Sequence, residues 1–181
     1  MKKGSLSAMV LCAALFLTGC APSRNDGFSI YLLANKVPAT RLAAGDVRDL
    51  ELQDEPILAS EDIIAYSWAE HEMEVTAEAY DRVQQLFGPP DMVLGIPFVV
   101  SVGRERIYTG AFWTPVSSIS YDGVVICQPH GAERPILRLT LGYPSREAFT
   151  GQDPRSDERI LRALEAGGKL GTVPSWHVFI H

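Results

Sequence analysis

The sequence predicts an α+β fold, a single domain built on a mainly antiparallel sheet with two principal helices. Residues 95–112 hold two apolar runs, rich in β-branched and aromatic side chains, joined by Gly103-Arg104-Glu105 in the pattern of a hairpin. Two other stretches, one after Thr76 and one before Gly167, repeat apolar residues at helical spacing between start and stop signals. Strands and helices are interspersed, yet the hairpin and the alternating strand faces favour antiparallel pairing. The 181 residues show no internal repeat and no low-complexity tract. They fit one core of ordinary size better than two.

The chain opens with Met1-Lys2-Lys3, continues through an uncharged apolar run from Ala8 to Leu17, and reaches Leu17-Thr18-Gly19-Cys20. This is the order of a signal peptide: a charged start, an apolar stretch and a small-residue cleavage site. The run is well short of the ~20 residues a helix needs to span a bilayer. The last four residues resemble the lipobox of bacterial lipoproteins. The resemblance implies cleavage between Gly19 and Cys20, diacylglycerol on the Cys20 sulfur and an N-acyl chain on its amine. The plainer alternative is an ordinary signal peptide with a chance cysteine. Residues 1–19 are therefore expected to be a leader, 20–27 a lipidated polar tether and 28–181 the folded body.

Within the body, Phe28 to Leu33 reads as a strand and Leu50-Glu51-Leu52 as the centre of a short one. Ser60-Glu61-Asp62 suits a brief helical turn. From Ala65 to Val75 the chain alternates, which predicts one strand with Glu70, Glu72 and Glu74 on a solvated face and His71, Met73 and Val75 on the buried one. Thr76 caps a helix with Tyr80, Val83 and Phe87 on one side, and Gly88-Pro89-Pro90 stops it. The hairpin follows. Further strands are expected over Val124–Cys127, Ile136–Leu141 and Trp176–Ile180. A last helix is expected from Pro154 to Ala166, capped by Asp153, with Ile160, Leu161 and Leu164 inward and Gly167-Gly168 at its end.

Loss of residues 1–19, which carry two lysines and no acid, takes the net charge from −6 to −8 and leaves 162 residues. So acidic a body argues against nucleic acid, whose recognition rests on phosphate contacts. It also leaves membrane attachment to the lipid, and two or more acyl chains suffice for that. The expected location is the cell membrane or the outer membrane. Of three cysteines, Cys12 departs with the leader and Cys20 is acylated, so Cys127 has no partner for a disulfide. Its apolar setting reads as a small buried hydrophobe, with a reactive thiol as the other reading.

From Pro56 to Ile126 the order of segments resembles the periplasmic head subdomain of the SecD and SecDF protein-export factors. The residues concerned are Pro56 to Ile64, Met73-Glu74-Val75-Thr76, the helix, Gly95 to Val102, Ile119-Ser120 and Gly123 to Ile126. The resemblance implies an α+β head with a hairpin bearing an exposed loop, and a role as accessory partner of protein export. Gly110-Ala111-Phe112-Trp113-Thr114 with Ser117-Ser118 is also similar to small bacterial lipoproteins that imply no particular activity.

The loop from Trp113 to Gly123 combines a large aromatic, three serines and a tyrosine. Trp113, Ser117, Ser118 and Tyr121 are the candidate contact residues for an envelope protein or glycan, since such a mix offers stacking and adaptable hydrogen bonds. The competing reading is a serine-rich turn in which Trp113 closes the core. No motif ties these serines to His71 or His130, so no catalytic residues are assigned. Glu70, Glu72 and Glu74 step about 6–7 Å apart on a strand, too far for one ion unaided, and His177 and His181, four residues apart on a strand face, are too distant for one metal unless the strand bends. Glu105 and Asp122 fall in turns without evident partners. No metal and no cofactor beyond the lipid is expected. The leading expectation is a noncatalytic lipid-anchored binding protein, with an envelope hydrolase as the rival class.

Overall fold

The computed structural model describes residues 27–42, 47–87, 91–128 and 134–173. Its seven strands are β1 Phe28–Leu32, β2 Ile63–Ser67, β3 Glu72–Val75, β4 Ile96–Val102, β5 Glu105–Trp113, β6 Tyr121–Cys127 and β7 Ile136–Tyr143. They form one sheet in the order β1-β4-β5-β6-β7-β3-β2. Every pairing is antiparallel except β5 with β6. Helices α1, Ala77–Gln85, and α2, Glu158–Ala166, complete the α+β domain.

Both helices pack on one face of the sheet. Ala79 and Val83 of α1 and Ile160 and Leu164 of α2 enter a core with Phe28, Ile30, Phe98, Val100, Phe112, Ile126, Leu137 and Leu139. Phe112 is central, with Phe98 at 5.1 Å and Phe87 at 6.3 Å between ring centroids. Each large apolar side chain so buried stabilises the fold by about 1.5–3 kcal/mol relative to exposure. The hairpin β4–β5 forms as the sequence predicts, turning at Gly103 with φ +58°.

Three expectations need correction. The alternating stretch 65–75 is a hairpin, not one strand: β2 and β3 pair Tyr66 with Met73, and the turn between them ends on His71 at φ +50°. Apolar parity reverses across the turn, from Tyr66 on β2 to Met73 and Val75 on β3, and the strict alternation of residues 70–75 alone conceals the reversal. The last helix starts at Glu158, with Asp157 accepting the Arg159 amide hydrogen at 2.9 Å. Asp153 accepts from the Arg155 amide at 3.0 Å and from its guanidinium, which makes a local turn of the residues expected to open the helix. Leu161 is only half-buried. Third, the expected strand at Leu50–Leu52 shrinks to a single bridge, Leu33 to Leu52. The expected strand Trp176–Ile180 lies outside the described residues.

Candidate functional site

The parallel pair β5–β6 shapes the second face of the sheet. Parallel neighbours usually need a crossover of a dozen or more residues. Here seven residues, 114–120, return the chain from the end of β5 to the start of β6. The link turns at Pro115-Val116, where the Ser117 amide donates to the Thr114 carbonyl at 3.1 Å, and it lies over a small second cluster of Ala39, Ala111, Trp113 and Val125, flanked by Tyr121, Cys127 and Tyr143. Trp113 is fully buried, stacked on Tyr121 at 5.0 Å and close to Tyr143 at 5.7 Å. Gly95, at φ +71°, permits this, because a Cβ there would stand 2.2 Å from the indole.

Burial decides between the two readings of Trp113, against a stacking surface and for a ring that closes the core: it is the floor under the crossover. Ser117 is buried as well, donating to the Val93 carbonyl at 2.8 Å and accepting from the Ile119 amide at 3.2 Å. Tyr121 is half-buried, and burial together with the neighbouring Asp122 charge pushes its hydroxyl up to about 12. Ser118 alone of the four stands exposed, between Val116, 79% exposed, and Ile119, 37% exposed. The Tyr143 hydroxyl donates toward the Pro115 carbonyl at 2.9 Å and the Ser117 carbonyl at 3.0 Å, fastening the crossover to the end of β7. The tip is thus exposed but held.

Beside the crossover the same face opens over β7 into a cleft of about 410 Å³. Its lining includes Glu70, Cys127, Arg138, Tyr143, Arg146 and Arg155. Arg138 reaches across to Glu72, its neighbour in register on β3, with Nε donating at 2.6 Å to a carboxylate that is fully buried. Arg155 is bidentate with Asp153, at 2.9 and 2.7 Å, and also donates to the Leu139 carbonyl at 2.6 Å. Arg146 lies over the Phe149 ring at 5.1 Å. Burial raises the Cys127 thiol, which reduces the thiolate available for chemistry and fits the reading of a small hydrophobe.

His71 is the second polar focus. It is buried at the end of the β2–β3 turn, with Nδ1 3.3 Å from the Tyr66 hydroxyl and Nε2 3.5 Å from the Ser156 hydroxyl. Desolvation, and then the nearby Arg155 charge, hold its pKa below 6.5. Burial also raises the Tyr66 hydroxyl. The arrangement can pass a hydrogen bond from Tyr66 through His71 to an exposed serine. It gives the imidazole no directly bonded carboxylate to orient it.

The acidic triplet is separated: Glu70 is exposed at the cleft, Glu72 is buried against Arg138, and Glu74 is half-buried. This corrects the expected solvated face, because Glu72 lies under a cross-strand ion pair whose register was not legible. Glu105 and Asp122 have partners after all. Glu105 pairs with Arg159, while Asp122 accepts from the Thr150 amide at 2.9 Å and hydroxyl at 2.5 Å, which lowers its pKa. Among the described residues no group of three or more His, Cys, Asp or Glu side chains is placed to hold a metal ion. No helix among them is long and apolar enough to cross a membrane. Gly19, Cys20, His130, His177 and His181 lie outside the described residues.

Sequence reasoning missed Arg138, Tyr143, Arg146 and Arg155. The available signal was Ile136-Leu137-Arg138-Leu139-Thr140-Leu141, where a guanidinium on the alternate face marks a polar second side to the sheet. Comparison with protein-family models, with curated proteins and with solved structures finds no match for this chain.

Proposed function

We propose that this chain is a lipid-anchored envelope protein, noncatalytic, whose open sheet face binds another envelope component. The observation that carries the anchor is Leu17-Thr18-Gly19-Cys20 placed directly after a charged start and an apolar run. The face chosen for binding is the cleft over β7 together with the crossover tip at Val116, Ser118 and Ile119. Tyr143 lines the first and fastens the second, so the two act as one contiguous and rigid surface. A guanidinium-lined cleft beside an apolar tip suits a partner, protein or glycan, that carries both carboxylate and apolar groups.

Nucleophilic chemistry at the crossover is disfavoured by where its hydroxyls are directed: Ser117 already donates to a carbonyl. The hydrolase reading draws on one observation, Ser156 beside His71, but that contact is 3.5 Å long and the imidazole faces a phenol on its other side.

The test combines location and contact in intact cells. Cys20→Ser should abolish lipid labelling and release the protein from membranes or leave it as precursor. A photoreactive residue in place of Ser118 should capture one dominant envelope partner, and Arg146→Glu should weaken that capture. Unchanged membrane attachment of Cys20→Ser would refute the anchor. Capture unaffected by Arg146→Glu would refute the cleft as part of the binding face, and dominant capture of translocon subunits would favour the export role over the general binding one.

A further inference from the structure

The tether joins the body at Gly27, and the carbonyl of Gly27 accepts the Gly103 amide hydrogen at 3.0 Å. The β4–β5 turn therefore lies against the point where the chain enters the fold, with Phe28 paired to Val102. Around that turn is a cavity of about 410 Å³ lined by Arg48, Arg104, Arg106, Arg159 and a single acid, Glu105. Four arginines gathered at one spot stand out in a body whose net charge is −8.

The charges there are not all cancelled. Arg159 is held by Asp157, at 2.6 Å, and by Glu105. Arg106 donates instead to backbone carbonyls, those of Val47 and Arg48, so its charge meets no carboxylate among the described residues. Arg104 is exposed at the tip of the turn and likewise pairs with no carboxylate among them. Arg48 is exposed on the short 3-10 turn Val47–Asp49, which also brings Asp49. Gly27 itself lines a neighbouring hollow that also holds Glu55, Glu61, Ser29, Tyr31 and Ser60.

We infer that this arginine cluster is a membrane-facing surface that docks the domain on the anionic headgroups of the bilayer holding its lipid. The inference rests on the anchor proposed above. Two facts select a lipid surface as the occupant. The seven Cα-to-Cα steps from Cys20 to Gly27 reach at most about 25 Å when fully extended, so the end of the body bearing Gly27 stays close to the leaflet. The charge is complementary, and it sits where it falls within about one Debye length, ~10 Å at 0.1 M salt, of a surface the leash can touch. Each arginine that close to an anionic leaflet favours the facing orientation by about five-fold. The acidic body as a whole is repelled by such a surface, and the cluster turns that repulsion into orientation.

The full chain, acylated by its host and purified in detergent, tests this when reconstituted in phosphatidylcholine vesicles with and without phosphatidylglycerol carrying a photoreactive headgroup. Mass spectrometry of the cross-links is expected to place them on residues 47–49 and 103–106. Their yield should fall at least about five-fold at 0.5 M salt and in Arg104→Glu, an exposed turn substitution that leaves the core untouched. Cross-links spread evenly over the body, or a yield indifferent to salt and to Arg104→Glu, would overturn the inference. Recovery of protein with the vesicles is scored separately: loss of the protein from vesicles of either composition is failure of the anchor, not of the docking surface.

Discussion

At the scale of single residues, the second face of the sheet is stabilised by groups that gain little from being there unless they are paired. Glu72 is fully buried, and Arg138 is its partner across β3 and β7. Removing one member of a buried pair leaves a charge without compensation, whereas removing both is often close to neutral. Arg138→Met is therefore expected to cost about 3 kcal/mol in urea unfolding, and Glu72→Met with Arg138→Met to recover most of it. A double variant as unstable as the single one would show that the pair is not the cause. His71 gives a residue-level prediction with a sign. Its pKa is depressed below 6.5 in the folded state by desolvation, so above pH 6.5 folded and unfolded chains hold the same neutral imidazole and this stabilisation is complete. As pH falls below 6.5 the unfolded chain takes up a proton that the folded one refuses, and stability is lost until the folded pKa is passed. The urea midpoint of the wild type should accordingly fall more between pH 7.5 and 5 than that of His71→Gln. Parallel pH profiles would exclude His71 as the source.

At the scale of elements, the crossover 114–120 depends on what lies beneath it. Trp113 can lie flat only because Gly95 carries no side chain, since a Cβ would meet the indole at 2.2 Å and the Ala39 methyl at 3.1 Å. The left-handed φ of Gly95 adds a conformational cost for any other residue. Gly95→Ala should lower stability by about 3 kcal/mol or more, and a crystal structure or proteolysis of the variant should show the crossover displaced from Tyr143. Near-native stability with the tip still protected would contradict this account. The same region shows what the sequence could convey. The β4–β5 hairpin and both helices are legible because apolar periodicity and caps are local signals, as with Thr76 accepting from the Ala79 amide hydrogen at 3.2 Å. The parallel return of β6 beside β5, and the meeting of Glu72 with Arg138, depend on pairings between residues far apart in sequence. For Trp113 the sequence leaves two readings open, contact residue or core residue, because serine-rich surroundings signal a loop while the strap that covers the ring is fixed by packing across the sheet.

At the scale of the whole molecule, the order β1-β4-β5-β6-β7-β3-β2 puts the first strand at one edge and the second at the other. Neither half of the chain can complete the sheet by itself, because β2 and β3 reach the rest through β7, which comes 61 residues after β3 ends. The helices strengthen this dependence: α1 follows β3, α2 follows β7, and Val83 and Leu164 enter the same core. Such a fold should melt as a unit. Val83→Ala removes two methyl groups from α1 and Leu164→Ala removes a larger branched side chain from α2. The expected losses are about 1–3 and 2–5 kcal/mol, with each variant shifting one common transition and leaving its denaturant slope unchanged. Tryptophan fluorescence in a Trp68→Phe, Trp176→Phe background, which leaves Trp113 on the second face as its source, and far-ultraviolet circular dichroism, which weighs the helices, should give coincident curves in both variants. A fluorescence transition left in place while the dichroism curve moves would mean that the face beneath the crossover is stable without the helical layer, and that this face and the core are separate folding units.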